Sequence, residues 1–289
     1  MITIVIPALN ESRSIEKTIC DIKNTLQLAK LIPYEIIVVD DGSIDETGNL
    51  AKEFGATVIR HPHNIGYGAA LKSGIKAANY DMVVITDSDG TYPILSIPIL
   101  VERYNKGFDM VVGQRTGKHY RSSILKWIMR ILFKFLVEWT AGRKIPDINS
   151  GLRIFSKKTI LTYFPHLCDT FSFTTSATLA YMMTTRFVEY VPINYNERIG
   201  RSHVHLWRDS LRTLQFIIQA ITYYNPLKIF LLMSIICIIF AIVSIMIGIF
   251  FHIATGFSMG VAAIFGSIII FSLGLLADLL RKIMLTNKN

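Results

Sequence analysis

Apolar positions in the first 112 residues gather in short runs at 2–6, 35–39, 56–59, 82–86 and 110–112. The runs are rich in Ile and Val, the pattern of strands buried on both faces. Helical periodicity separates them over about 12–29, 46–54, 67–78 and 94–106. Short apolar strands alternating with helices predict an α/β fold with a mostly parallel, Rossmann-like sheet. Ligands of such sheets bind beyond the carboxyl ends of the strands, so candidate chemistry is sought there.

From residue 113 the pattern changes. Lys126, Arg130, Lys134 and Glu138 recur every fourth residue as one polar stripe on an apolar segment that includes Trp127, Phe133 and Trp139. This predicts an amphipathic helix over about 121–141, lying in the headgroup plane of a bilayer. Arg208, Arg212, Gln215 and Gln219 form a second stripe and predict a juxtamembrane helix over 206–225. Residues 229–277 then contain no Asp, Glu, Lys or Arg. A bilayer core of ~30 Å needs about 20 apolar helical residues. The tract therefore predicts two transmembrane helices, about 227–252 and 257–278, broken near Gly256. Lys228, Arg281, Lys282 and Lys288 flank the pair, and the connecting loop has no Lys or Arg. The positive-inside rule then puts both termini in the cytosol. The expected domain map is a cytosolic unit over 1–205, the helix over 206–225, and a membrane hairpin with a short tail over 226–289.

Composition sharpens this picture. The chain has 289 residues, 51% hydrophobic and 18% charged, which excludes a disordered, collagenous or coiled-coil protein. The net charge of +9 is uneven: residues 1–112 carry 10 basic and 14 acidic side chains, and residues 113–145 carry 8 and 1. The most basic stretch is also strongly apolar, which fits a membrane surface and argues against a nucleic-acid partner. Cys20, Cys168 and Cys237 are widely spaced without a C-x-x-C pair, so neither a disulfide framework nor a zinc site is expected. The apolar run 2–6, stopped by Pro7, is too short for a signal peptide.

The strand ends carry the candidate site. Pro7-Ala8-Leu9-Asn10-Glu11-Ser12 follows the first strand, with Asn10 or Ser12 as a helix cap. Asp40-Asp41-Gly42-Ser43 follows the second, and an acid at that place can accept hydrogen bonds from a nucleotide. Gly66-x-Gly68 and Lys72 open the third helix, where glycines suit close backbone approach to phosphate. The spacing is not that of a P-loop. Asp87-Ser88-Asp89-Gly90 follows the fourth strand, and two carboxylates two residues apart can share a hard divalent cation with substrate phosphates.

Together these segments resemble the family 2 glycosyltransferases of GT-A fold. The resemblance continues through Gly113-Gln114-Arg115, Asp147-x-x-Ser150-Gly151-Leu152-Arg153 and Arg198-x-Gly200-x-Ser202, and covers roughly residues 1–205. Within that family the chain looks like the polyprenyl-phosphate sugar transferases of the dolichol-phosphate mannose synthase type. The Gln-x-x-Arg-Trp motif of processive synthases is absent.

The resemblance implies an inverting, metal-dependent transfer of sugar from a UDP- or GDP-sugar to undecaprenyl or dolichyl phosphate. Pro7, Ala8, Leu9, Asn10, Glu11, Val39, Asp40, Asp41 and Lys72 are then expected at the nucleotide sugar. Asp87, Ser88 and Asp89 are expected at the diphosphate, the two acids through Mg²⁺ or Mn²⁺. Arg115 would bridge the donor and acceptor phosphates, Lys126 and Arg130 would bind the acceptor phosphate, and Asp147 would stand near the reacting carbon. Arg198 and Ser202 would close over the diphosphate. Thr91 stands where many relatives have Gln, Lys126 where Arg is usual, and His203 where Lys is common. Each residue also has a plainer reading: Arg153, Lys157 and Lys158 as surface charge, and Asp147 as the cap of a turn after Pro146. The alternative functions are transfer to a lipid or glycan hydroxyl, and a non-catalytic nucleotide-binding membrane protein. A bacterial plasma membrane is the expected location, and a homo-oligomer is compatible with two spans.

Overall fold

The computed structural model describes residues 1–117, 134–135, 137–139, 141–196 and 206–286. Lys126, Arg130, Arg198 and Ser202, and with them most of the expected helix over 121–141, lie outside the described residues. The chain divides into two compact units, Met1–Ile217 and Ile218–Asn289.

The first unit is built on a seven-stranded sheet. The expected alternation is present as β1 (Ile2–Ala8), α1 (Ile15–Leu28), β2 (Tyr34–Asp40), α2 (Thr47–Glu53), β3 (Thr57–Arg60), α3 (Tyr67–Ala77), β4 (Met82–Ile85), α4 (Ile97–Tyr104) and β5 (Met110–Thr116). Beyond it come β6 (Arg153–Ser156), α5 (Lys157–Tyr163), α6 (Phe173–Met183) and β7 (Val188–Asn194). The strand order is β3-β2-β1-β4-β6-β5-β7. Only β6 runs against its neighbours, and every other pair is parallel. The sheet is thus mostly parallel, as expected. Ile4, Ile6, Val38, Val84, Val111 and Ile154 fill its centre without exposure. On α1, Ile15, Ile19, Ile22 and Leu26 recur at helical spacing and are fully buried.

The chain runs outward from β1 through β2 to β3, then returns to place β4 on the other side of β1. That reversal opens a crevice at the carboxyl ends of β1 and β4, where ligands of open α/β sheets bind.

Helix α7 (Leu206–Tyr224) is present where the second stripe predicts it, with Ile217 and Ile221 buried and Gln215 and Gln219 exposed. In the second unit, α8 (Pro226–Phe250) and α9 (Ala254–Thr286) pack as a hairpin. Ser234 and Ser267 share a hydrogen bond of 2.9 Å inside it. Ser244 donates to the Gly256 carbonyl at 2.8 Å beside the turn. Both helices are long and apolar enough to cross a membrane, and most of their large apolar side chains face outward. Helix α9 continues past the expected end, carrying Asp278 paired with Arg281 at 3.0 Å and Lys282 at 2.9 Å.

Candidate active site

The segments after β1 and β2 are bonded to one another. The Asn10 amide donates to Ser43 Oγ at 3.0 Å, and Asn10 Oδ1 accepts from the Ile44 amide at 2.9 Å. The Glu11 amide donates to Thr47 Oγ1 at 2.9 Å, and the Ser12 amide to Asp45 Oδ2 at 3.2 Å. Neither Asn10 nor Ser12 caps α1, contrary to the expectation. Asn10 takes a left-handed φ of +55°, and the N-cap is Ser14, whose hydroxyl bonds back to Glu11. Asp45 does accept the Thr47 amide at the start of α2, at 3.0 Å.

The two acids of Asp40-Asp41 face different partners. Asp40 is fully buried, accepts the Ser43 amide at 2.8 Å and lies 3.4 Å from Arg60. Asp41 accepts from the Gly66 and Ile65 amides at 2.9 and 3.2 Å, and its Oδ1 lies 2.7 Å from His61 Nδ1. His61 Nε2 in turn contacts Ser73 Oγ at 3.0 Å. Asp41 is thereby fixed between β2 and the entry to α3. Pro7 and Val39 are opposite each other in the β1–β2 register, as are Ala8 and Asp40, with Leu9 directly beyond.

The acids after β4 are held as firmly. Asp87 Oδ1 accepts from the Tyr67 hydroxyl at 2.8 Å. Burial first, then the charge of Asp87, raises the Tyr67 phenol well above its ordinary value, so it stays a donor. Asp89 is buried, and its Oδ1 accepts from Thr91 Oγ1 at 2.6 Å and the Thr91 amide at 3.1 Å. Thr91 is therefore one side chain that orients Asp89. Ser88 is buried against β1, its hydroxyl 3.4 Å from the Pro7 carbonyl. A Cβ on Gly151 would stand 2.9 Å from Asp87 Oδ2, so only glycine leaves that carboxylate its place.

The chemistry of Asp87 and Asp89 suits a hard divalent cation, which would need phosphate and water oxygens to complete its shell. The two acids offer hard oxygens from positions two apart, and no cluster of three or more His, Cys, Asp or Glu side chains suited to a metal occurs among the described residues.

Arg115, at the end of β5, makes a bidentate pair with Asp147. Nε donates to Oδ2 and Nη2 to Oδ1, both at 2.8 Å. The Arg115 amide adds a bond of 3.1 Å, and Asp147 also accepts the Asn149 amide at 3.2 Å, so its turn role is present too. Burial raises the Asp147 carboxyl, but the hydrogen bonds and charge of Arg115 outweigh it and hold the group below its ordinary value. The Arg115 guanidinium lies 5.5 Å from the centre of the Tyr195 ring, a cation–π distance, and Tyr195 meets Tyr92 edge-on at 5.3 Å. The Tyr92 hydroxyl accepts the Gly151 amide at 2.6 Å. Tyr67, Tyr92 and Tyr195 were not singled out by the sequence reading. Their one signal is aromatic character within a few residues of a strand end.

Lys72, Arg153 and Lys157 bond within the protein. Lys72 Nζ bonds to the Leu167 carbonyl at 2.6 Å and to Asp169 at 2.5 Å. The Ala69 amide at the entry to α3 donates to the Asp169 carbonyl at 2.8 Å. The glycine segment thus receives protein backbone at the place where phosphate was expected. Arg153 is fully buried, which overturns its reading as surface charge. Lys157 reaches the Lys76 and Ala78 carbonyls at the end of α3, at 2.9 and 2.5 Å.

The order of these strand-end motifs on a GT-A-like sheet defines a glycosyltransferase. The model of the family described as glycosyl transferase family 2 matches residues 3–164, and the chain belongs to that family. It is 36% identical over 160 residues to a dolichol-phosphate mannosyltransferase of Pyrococcus furiosus, covering 53% of this chain and 45% of that protein. It is 28% identical over 188 residues to an undecaprenyl-phosphate 4-deoxy-4-formamido-L-arabinose transferase of Pectobacterium atrosepticum, covering 59% and 56%. The first curated relatives are likewise matched over only 55% to 64% of their length. Among solved structures, glucosyl-3-phosphoglycerate synthase of Mycobacterium tuberculosis, crystallised with Mg²⁺ and UDP, superposes with a TM-score of 0.63. It is 22% identical and covers 76% of this chain and 79% of that one, a likeness of fold.

Proposed function

We propose that the protein transfers a sugar from a UDP- or GDP-sugar to a membrane polyprenyl phosphate, with inversion at the anomeric carbon. The observation that carries this reading is that two acids after β4, Asp87 and Asp89, and a largely buried Arg115–Asp147 pair are linked through Gly151 and Tyr92. The named polyprenyl-phosphate transferases among its relatives support the acceptor class.

The segments around Asn10, Asp41 and Gly66 form the nucleotide side of the crevice. Asp87 and Asp89 would hold Mg²⁺ or Mn²⁺, which neutralises charge on the leaving diphosphate when bound. Arg115, held in plane by Asp147 and Tyr195, presents fixed positive charge to the phosphates. An acceptor phosphate oxygen attacks the anomeric carbon. The new C–O bond forms as the bond to the nucleoside diphosphate breaks, and the electron pair leaves with the diphosphate. A phosphate monoester has a second pKa of ~6, so the nucleophile is already ionised near neutrality and needs no strong base. An Asp147 carboxyl held below its ordinary value suits orientation better than proton abstraction.

The apolar hairpin of α8 and α9 would anchor the protein in the bilayer that holds the acceptor, with both termini in the cytosol. The test uses the full chain in nanodiscs with undecaprenyl or dolichyl phosphate and a panel of labelled UDP- and GDP-sugars. Label in an acid-labile lipid, lost with EDTA, is expected from at least one donor. Nucleotide binding without lipid label from any donor overturns the proposal.

A further inference from the structure

Arg153 is the largest fully buried side chain among the described residues. Its four hydrogen bonds all go to neutral oxygens. Nε donates to the Ser150 carbonyl at 2.6 Å, and Nη2 to the Ile148 carbonyl at 2.8 Å. Nη1 donates to the Thr174 carbonyl at 2.8 Å and to Thr178 Oγ1 at 2.7 Å. Among the described residues no carboxylate bonds to this buried cation, whose desolvation costs several kcal/mol, and an apolar side chain of similar volume would fill the space without that cost. Packing alone therefore does not account for arginine here.

The bonds identify what does. Ile148 and Ser150 belong to the loop that starts at Asp147 and ends at Gly151, while Thr174 and Thr178 lie on α6. The guanidinium ties two carbonyls of the loop to the helix. Three further polar groups of the loop are engaged as well. Asn149 Oδ1 accepts from the Thr175 hydroxyl, and the Ser150 hydroxyl donates to the Gly113 carbonyl at 2.5 Å. The Gly151 amide bonds to Tyr92. One end of this loop carries the carboxylate that holds Arg115, and the other lies against Asp87.

We propose that Arg153 is a positioning residue for sugar transfer: its planar fork sets the 147–151 loop, and through it both the Asp147–Arg115 pair and the seat of Asp87. The inference rests on reading that pair as part of the transfer centre. Lysine keeps the charge, but its point-like ammonium does not span four oxygens on two segments. Misplacement of a reacting group by ~1 Å costs about 100-fold in rate.

The experiment compares the full-length protein with Arg153→Lys, Arg153→Met and Thr178→Val in nanodiscs. It reads thermal unfolding, UDP and GDP binding with Mg²⁺, kcat and donor KM, and amide exchange of the 147–152 segment. Arg153→Lys is expected to stay folded and bind nucleotide within about threefold of the parent, with kcat lowered about 100-fold at little changed KM. Thr178→Val, which removes one of the four acceptors, is expected to lower kcat about 10-fold. In both, faster exchange is confined to 147–152. Parental kcat and parental exchange in either folded variant overturn the proposal, as does a loss of activity that follows the unfolded fraction alone. If both Arg153 variants fail to fold, Thr178→Val decides by the same criteria. If the parent transfers no sugar to any lipid phosphate, the functional reading fails, while the exchange measurement still supports or overturns the role of Arg153.

Discussion

Arg115 and Asp147, 32 residues apart in the chain, meet through two parallel hydrogen bonds of 2.8 Å. Both side chains are largely removed from water, 16% and 2% exposed, so neither charge has solvent to fall back on. Asp147→Asn keeps the shape but removes the carboxylate charge that the guanidinium meets in two parallel bonds. It is expected to lower kcat about 100-fold in a folded protein. Asp147→Ala, which also vacates the site, is expected to cost a further ~3 kcal/mol of stability. Initial rates and unfolding midpoints measured on both variants check this. A rate within threefold of the parent in Asp147→Asn contradicts it.

Asp89 is held by Thr91 twice, through the hydroxyl and the amide. Thr91→Val removes only the hydroxyl. The expected result is an unchanged fold and a 10- to 100-fold rise in the Mg²⁺ or Mn²⁺ concentration for half-maximal activity, the usual effect of losing a partner of a metal-binding acid. Asp89→Asn is expected to abolish the metal response. Metal titrations of activity, and Mn²⁺ binding followed by electron paramagnetic resonance, separate the two variants.

The pH dependence follows from the depressed Asp147. Its folded value lies below its unfolded one. The stability it adds is therefore present above the unfolded carboxylate range and lost only as pH falls through the lower folded value. Asp147 accordingly gives no acid limb between about pH 5 and 9. The acid limb of kcat/KM is expected near pH ~6, where the acceptor phosphate takes its second charge. It should persist in the residual activity of Asp147→Asn. A limb that disappears in that variant would reassign Asp147 as a titrating base.

Gly68 is required by a neighbouring backbone. A Cβ there would lie 2.3 Å from the Cys168 carbonyl oxygen and 2.8 Å from the Asp169 carbonyl carbon. Gly68→Ala is expected to destabilise the first unit by about 1–3 kcal/mol, the usual range for overpacking. Its effect on nucleotide affinity should be small by comparison. Unfolding and UDP or GDP binding measured on one preparation distinguish this from a phosphate-binding role.

That glycine shows where sequence reading stops. Close backbone approach was legible in Gly66-x-Gly68, but its partner was not, because the 167–170 segment lies about a hundred residues away. The same distance hides the destination of Lys72. The strands from β1 to β5 were readable because each contains a short stretch rich in Ile and Val between helical segments. Strand β6 was not, since it opens on the charged Arg153, whose burial depends on oxygens from helix α6. Strand β7 mixes Glu189 and Pro192 into its apolar positions and gives little periodic signal. The acids at the strand ends stood out because two carboxylates two residues apart beyond a buried strand can share a hard cation. Tyr67, which holds Asp87, gave no distinctive signal of its own because aromatic residues are common in any core.

The most direct test of the central claim offers the full-length protein one labelled donor and two acceptors that differ only at the head, a polyprenyl phosphate and the corresponding free polyprenol. The account predicts label in the phosphate alone, as an acid-labile product whose formation stops in Asp89→Asn. Equal or preferred labelling of the free alcohol would contradict it and place the protein among transferases that act on a hydroxyl.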